Sequence, residues 1–214
     1  MQAATHVLSA PSGRPSLDVD VVMRREPVTG PMARWQTHRW VLADVLPTAE
    51  PRLLPVGAEP AQPGAPREVE PLPGAQVVDG ASYWLFPGHR VELFRDDAEG
   101  LFLNLSSPLP CFWVFWRADE DQLQGAEPMA VPQIVTLSYH DAGRWLDAQE
   151  KVEQVPAPEA VVDWLRDFVD QHRQAEPKRR QRPASFKSLT DRFGQPARVS
   201  TDKSLRGPRE GGGA

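Results

Sequence analysis

The residues able to do chemistry in this chain are few and dispersed. Its five histidines, His6, His38, His89, His140 and His172, stand singly, whereas a metal site draws several His, Cys, Asp or Glu ligands together at recurring spacings. His140 and Asp141 are adjacent, the minimum for an acid–base pair. Ser138-Tyr139-His140-Asp141 is equally the spacing of a helix N-cap with an acid three residues on, which explains the same residues with less. Asp96, Asp97 and Glu99 fall short of the regular run of oxygen ligands that a calcium loop requires and read as a solvated turn. Neither Pro87-Gly88 nor Gly207 to Gly213 has the glycine spacing of a phosphate loop, and Ser106 and Ser107 lack a nucleophile-elbow context. Cys111, the single cysteine, sits in the apolar run Cys111-Phe112-Trp113-Val114-Phe115-Trp116. It reads as a small buried hydrophobe, and alone it forms neither an internal disulfide nor a thiolate cluster. The expectation is a non-enzymatic protein with no cofactor and no metal. An enzyme reading would require a deep pocket in which His140, Asp141 or Glu92 meet.

Residues suited to contact are better represented. Trp35, Arg39 and Trp40 fall within seven residues of one another and combine the side chains that dominate binding surfaces. The second group lies at the C-terminal end. From Pro177 onward ten Lys or Arg face three acids, a surplus of seven in a chain of net charge −5, so the rest carries −12. Lys178, Arg179, Arg180 and Arg182 form a compact cationic cluster that suits either a solubilising tail or phosphate contacts to nucleic acid. Exposed Trp35 or Trp40 could then stack bases, although the acidic body opposes that reading. Beyond the cluster, Phe186, Leu189 and Phe193 recur at i, i+3 and i+7 between Ser185 and Gly194. That spacing predicts a short helix too brief to persist in water, which would fold on docking against a partner or its own body.

The elements that must position these residues are mainly strands. Val19, Val21 and Met23 alternate with acids after Leu17; a second strand is expected over Arg34 to Leu46. Val91 and Leu93 alternate with Arg90 and Glu92, and Leu101, Leu103 and Leu105 with polar or aromatic neighbours, which predicts a hairpin turning through Asp96 to Gly100. Cys111 to Trp116, apolar on both faces, reads as a covered central strand, and Gln133 to Tyr139 as another. A short helix is expected from the Ser138 cap through Ala148, carrying Trp145 and Leu146 toward the core. The clearest helix begins at Pro158 and places Val161, Trp164, Leu165, Phe168 and Val169 on one face.

Short hairpins imply antiparallel pairing, and helices near the C-terminal end imply an α+β domain. We expect a curved antiparallel sheet or partly closed barrel of five to seven strands with one or two C-terminal helices. Residues 17–175 are expected to form that single domain, with residues 47–81 as a disordered Pro/Gly-rich insert loop that holds eight of the 23 prolines. Residues 1–16 and the basic segment 176–214 lack the apolar content to fold and are expected to be disordered. Residues 1–15 carry neither the basic flank nor the apolar run of a secretion signal, and no segment approaches the ~20 apolar residues of a membrane span. A cytoplasmic location is expected.

Several stretches carry a resemblance. Arg34-Trp35-Gln36-Thr37-His38-Arg39-Trp40, Phe86 to Arg117 with Arg95-Asp96-Asp97-Ala98-Glu99-Gly100 and Leu103-Asn104-Leu105-Ser106-Ser107-Pro108, and Val135 to His172 with Arg144-Trp145-Leu146-Asp147 are similar to a small uncharacterised family of proteobacterial proteins. Members of that family are usually encoded beside subunits of molybdenum-dependent formate dehydrogenase, a chaperone of the type that delivers molybdoenzymes, and a second uncharacterised protein. The resemblance implies an accessory role in assembling or operating that enzyme through protein contacts, with dehydrogenase subunits or their maturation factors as partners. It implies no catalytic residues.

Overall fold

The two-residue alternation of Leu17, Val19, Val21 and Met23 is realised in β1 (Gly13–Pro27), where those four side chains are buried. The strand therefore starts inside the segment expected to be disordered. The computed structural model describes residues 13–173, apart from 56, 74–76 and 125–126, all within the first of the two units into which the chain divides, Met1–Gln174. β1 pairs antiparallel with β2 (His38–Pro47) and β5 (Ser82–Glu92), β4 (Arg67–Val69) adds to β5, and β3 (Arg52–Pro55) pairs with the start of β1. A second antiparallel sheet has the order β7 (Glu127–Thr136), β6 (Cys111–Gln124), β8 (Lys151–Pro156). The fold is thus α+β and mainly antiparallel, as expected, but its eight described strands are divided between two sheets that do not close into a barrel.

The inner faces meet in one apolar core. Val19, Val21 and Met23 of β1, Leu42 and Val45 of β2, and Val91 of β5 face Phe112, Val114 and Trp116 of β6 and Val135 of β7. Each such side chain taken fully out of water contributes about 1.5–3 kcal/mol. Where the sheets approach at their edges, side chains make the connection. The Leu42 amide donates to the Glu153 carboxylate of β8 at 2.6 Å, which occupies a backbone group that an edge strand would otherwise expose.

Three helices are described. α3 (Glu159–His172) is the expected one: Val161, Leu165, Phe168 and Val169 are buried against the sheets, and Pro158 is its N-cap. α2 (Tyr139–Asp147) starts at the predicted cap, where Ser138 Oγ accepts the Asp141 amide at 3.1 Å. Its Trp145 stacks on Phe115, but Leu146 is exposed and does not enter the core.

The third helix overturns an expectation. Leu101 to Leu105 lies in α1 (Ala98–Leu105), not in a strand, and Arg95–Asp97 is a 3-10 turn leading into it, not a hairpin tip. Ala98, Leu101 and Leu105 sit three and four residues apart and face the core, so helical spacing coexisted with the alternation and prevailed through packing. Asn104, which the strand reading left as an outward polar residue, is fully buried. Its amide donates to the Cys111 carbonyl at 2.8 Å and the Leu137 carbonyl at 2.9 Å, and its Oδ1 accepts the Cys111 amide at 3.0 Å.

Other boundaries shift as well. The strand expected from Arg34 begins at His38, because Pro31–Arg34 forms a 3-10 turn with Pro31 at its start. The strand expected at Gln133 runs from Glu127 to Thr136, and Tyr139 already belongs to α2. The Pro-rich insert is not a featureless loop. It contributes β3 and β4, and its Gly64 amide donates to the Pro87 carbonyl at 2.9 Å while Arg90 reaches the Glu59 carbonyl at 3.1 Å. At Gly88, φ is +83° and a side chain would sit 2.8 Å from the Gln62 carbonyl oxygen, so glycine is required where the insert crosses β5.

Candidate partner-binding surface

The loop between β1 and β2 carries the first of the predicted contact residues. Its base is closed by the Val28 amide on the Thr37 carbonyl at 2.9 Å. Gly30, at φ +83°, turns the chain into Pro31–Arg34, and the Trp35 amide donates to the Met32 carbonyl at 2.9 Å. This hydrogen-bonded turn presents Trp35, 77% exposed, and Met32, 60% exposed, to solvent. The Arg34 guanidinium lies 5.2 Å from the Trp35 ring centroid, so the indole stands beside a cation but outside any core.

A network of charged side chains fixes the loop to the second sheet. The Glu127 carboxylate accepts from the Thr37 hydroxyl at 2.5 Å, the His38 amide at 3.2 Å and Arg25 at 3.3 Å. Burial works against this carboxylate, but the Thr37 and His38 bonds and the Arg25 charge outweigh it and hold its pKa below the usual value. Trp40 donates its indole N–H to the Pro128 carbonyl at 3.0 Å and packs against the core. Arg39 is committed to Glu26, with Nε at 2.7 Å, and Arg24 bonds the same carboxylate at 2.8 Å. Burial opposes the charge on Glu26 too, and the two arginines overcome it.

The structure thus gathers Trp35, Arg39 and Trp40 beside the C-terminal end of β1 and separates their roles. Trp35 is presented; Trp40 and Arg39 hold the strand beneath it. Sequence reasoning missed Met32, Thr37 and Glu127, and only Met32, next to Pro31 in a short loop, offered a signal. The other predicted contact residues, Lys178, Arg179, Arg180, Arg182, Phe186, Leu189 and Phe193, lie outside the described residues.

A groove of about 990 Å³ opens at the opposite end of β1, between β3 and α3. Leu53, Pro55, Phe94, Trp164, Phe168 and His172 line it. Two of its arginines are paired within the fold: Arg14 pairs with Glu92 at 2.5 Å and lies over the Phe94 ring, and Arg52 pairs with Asp18. Glu92 lines this groove, whereas His140 and Asp141 do not; they lie at the N-terminus of α2, where Asp141 accepts from the Thr136 hydroxyl at 3.1 Å and pairs with Arg144. Cys111 is buried as expected, and burial pushes its thiol pKa up to about 11. Among the described residues no helix is long and apolar enough to cross a membrane.

The domain is a mainly antiparallel α+β unit with a braced aromatic loop. Its residues 18–182 match the family described as Protein of unknown function (DUF3305), which spans most of the chain. The chain belongs to that family. No curated protein and no solved structure gives a significant match.

Proposed function

We propose that this protein is a non-enzymatic accessory protein that assists the assembly or operation of a molybdenum-dependent formate dehydrogenase through protein–protein contacts, with Trp35 at the centre of the contact surface. The observation that carries the binding role is the presentation of Trp35: a large indole, 77% exposed, is held out on a hydrogen-bonded turn that side-chain bonds tie to the sheets. Tryptophan, methionine and arginine are enriched where interfaces concentrate their energy, and here Met32, Arg34 and Trp35 share one turn. A preformed turn loses little conformational freedom on binding, which favours affinity. The choice of enzyme system rests on the family resemblance, whose members are encoded beside formate dehydrogenase and its maturation factors.

Affinity capture of the tagged full-length protein from cells producing formate dehydrogenase tests this reading. Recovery of dehydrogenase subunits or their maturation factors, with lowered formate dehydrogenase activity in a deletion strain, is the expected result. Recovery of neither, together with normal activity in the deletion strain, would overturn it.

A further inference from the structure

Around the turn that presents Trp35 the charge of the domain reverses. Residues 13–173 hold fourteen Lys or Arg against 25 Asp or Glu, a net charge of −11. Between residues 24 and 40, however, Arg24, Arg25, Arg34 and Arg39 face a single acid, Glu26. The Glu127 carboxylate, reaching in from β7, is bonded to the same stretch.

Two carboxylates therefore serve four guanidinium groups. Arg24 and Arg39 share Glu26, and Arg25 takes Glu127. Arg34 is exposed and has no ion-pair partner among the described residues; its contact is the Trp35 ring, with the centroid at 5.2 Å. A guanidinium beside an indole keeps donors free for a carboxylate, so one arginine can hold both a ring and an anion. Met32 and Trp35, exposed on the same turn, set apolar surface next to those donors, and residues 27–37 contain no acid to occupy them.

The positive surface is short. The hairpin that brings Glu127 also carries Asp119, Glu120 and Asp121 on its β6 arm. A polyanion that lays many phosphates along the domain is repelled beyond the turn by these and the other surplus acids. A peptide segment with one or two carboxylates beside an apolar side chain engages the turn without extending over them.

We propose that the turn bearing Met32, Arg34 and Trp35 receives a short acidic segment of a partner protein, with a carboxylate on the Arg34 guanidinium and an adjoining apolar side chain against Trp35 and Met32. An acidic partner segment rests on the reading of Trp35 as a contact residue given above, but not on the identity of the enzyme served.

Random peptides of about twelve residues, displayed on phage, are selected on the immobilised full-length protein and counter-selected on Trp35→Ala, which removes peptides held elsewhere on the chain. No dehydrogenase component takes part. The recovered peptides should be enriched in Asp or Glu adjoining an aliphatic or aromatic residue by at least about twofold over the input library. A synthetic peptide of the recovered consensus, followed by fluorescence polarisation, should bind Arg34→Glu at least about tenfold more weakly than wild type, and Arg34→Lys more weakly by a smaller factor. Arg67→Glu, at an exposed arginine of β4, should bind it as wild type does, and the Arg34 variants should keep the wild-type melting temperature. A neutral or basic consensus, or equal affinity of wild type and Arg34→Glu, would overturn the proposal and leave Trp35 as a contact residue. Failure to recover any Trp35-dependent peptide would overturn both. Arg34-dependent binding of single-stranded DNA of about twenty nucleotides, tighter than that of the peptide, would replace the acidic segment by nucleic acid.

Discussion

The two ends of β1 expose apolar surface for different reasons. At Gly13, Phe94 and Leu53 border a groove whose other walls include the core residues Leu93 and Phe168 and in which Arg14 and Arg52 pair with carboxylates of the same domain. Surface there is what remains where β3 and α3 do not meet. Fifteen residues away, about 45 Å along an extended strand, the loop after Pro27 exposes Trp35, which belongs to no core cluster. Beneath it, Thr37, His38, Trp40 and Arg39 each have a partner in the sheets. The groove end is shaped by what the fold needs. The loop end spends well-ordered support on a side chain the fold does not use, which makes it the better candidate for recognition.

Substitutions should separate the two ends by stability. Leu165→Ala, at a fully buried position beside the groove, should lower unfolding stability by about 2–5 kcal/mol in urea titration. Asn104→Ala should cost about 3 kcal/mol by the same measure, since it leaves the Cys111 amide and the Cys111 and Leu137 carbonyls unpaired in the interior. A smaller loss would mean that water reaches them.

Moving to the loop end, Arg39→Ala should cost about 1 kcal/mol at neutral pH and make the protein more sensitive to acid. The sign follows from Glu26. Its pKa is lowered on folding, so its contribution is present above the ordinary glutamate value and is lost as pH falls through the lowered one. Removing Arg39 raises that lowered value and brings acid unfolding to higher pH, as a circular-dichroism titration would detect. Trp35→Ala should change stability by under about 0.5 kcal/mol, the behaviour of a surface residue without fold partners. A larger loss would place Trp35 in the same category as the groove residues and end the contrast.

The sequence made β1, the centre of β6, α3 and the Ser138 cap legible because their periodicity or spacing extends over whole elements and agrees with the local propensity. α1 was hidden because Leu101 and Leu105 satisfy both a two-residue and a four-residue repeat, and only packing against α3 decides between them. Asn104 left no trace in sequence, since a buried amide serving three backbone groups looks like any polar residue until its partners are placed. The run from Trp35 to Trp40 signalled contact chemistry, but not that Trp40 would pack on the core and Arg39 be engaged by Glu26. That division depends on β2 starting at His38, which Gly30 and Pro31 determine from several residues away. The insert was misjudged from composition: its Gly64 amide bonds the Pro87 carbonyl and its strand β4 pairs with β5, long-range contacts that composition does not encode.

The most direct test of the account is the affinity of the purified full-length protein for purified formate dehydrogenase, or for the maturation factor recovered with it, compared between wild type and Trp35→Ala by calorimetry. We predict saturable binding by wild type and a loss of at least about 2 kcal/mol, roughly thirtyfold, in the variant, at unchanged thermal stability. Equal affinities of the two proteins, or no binding by wild type to either partner, would contradict it.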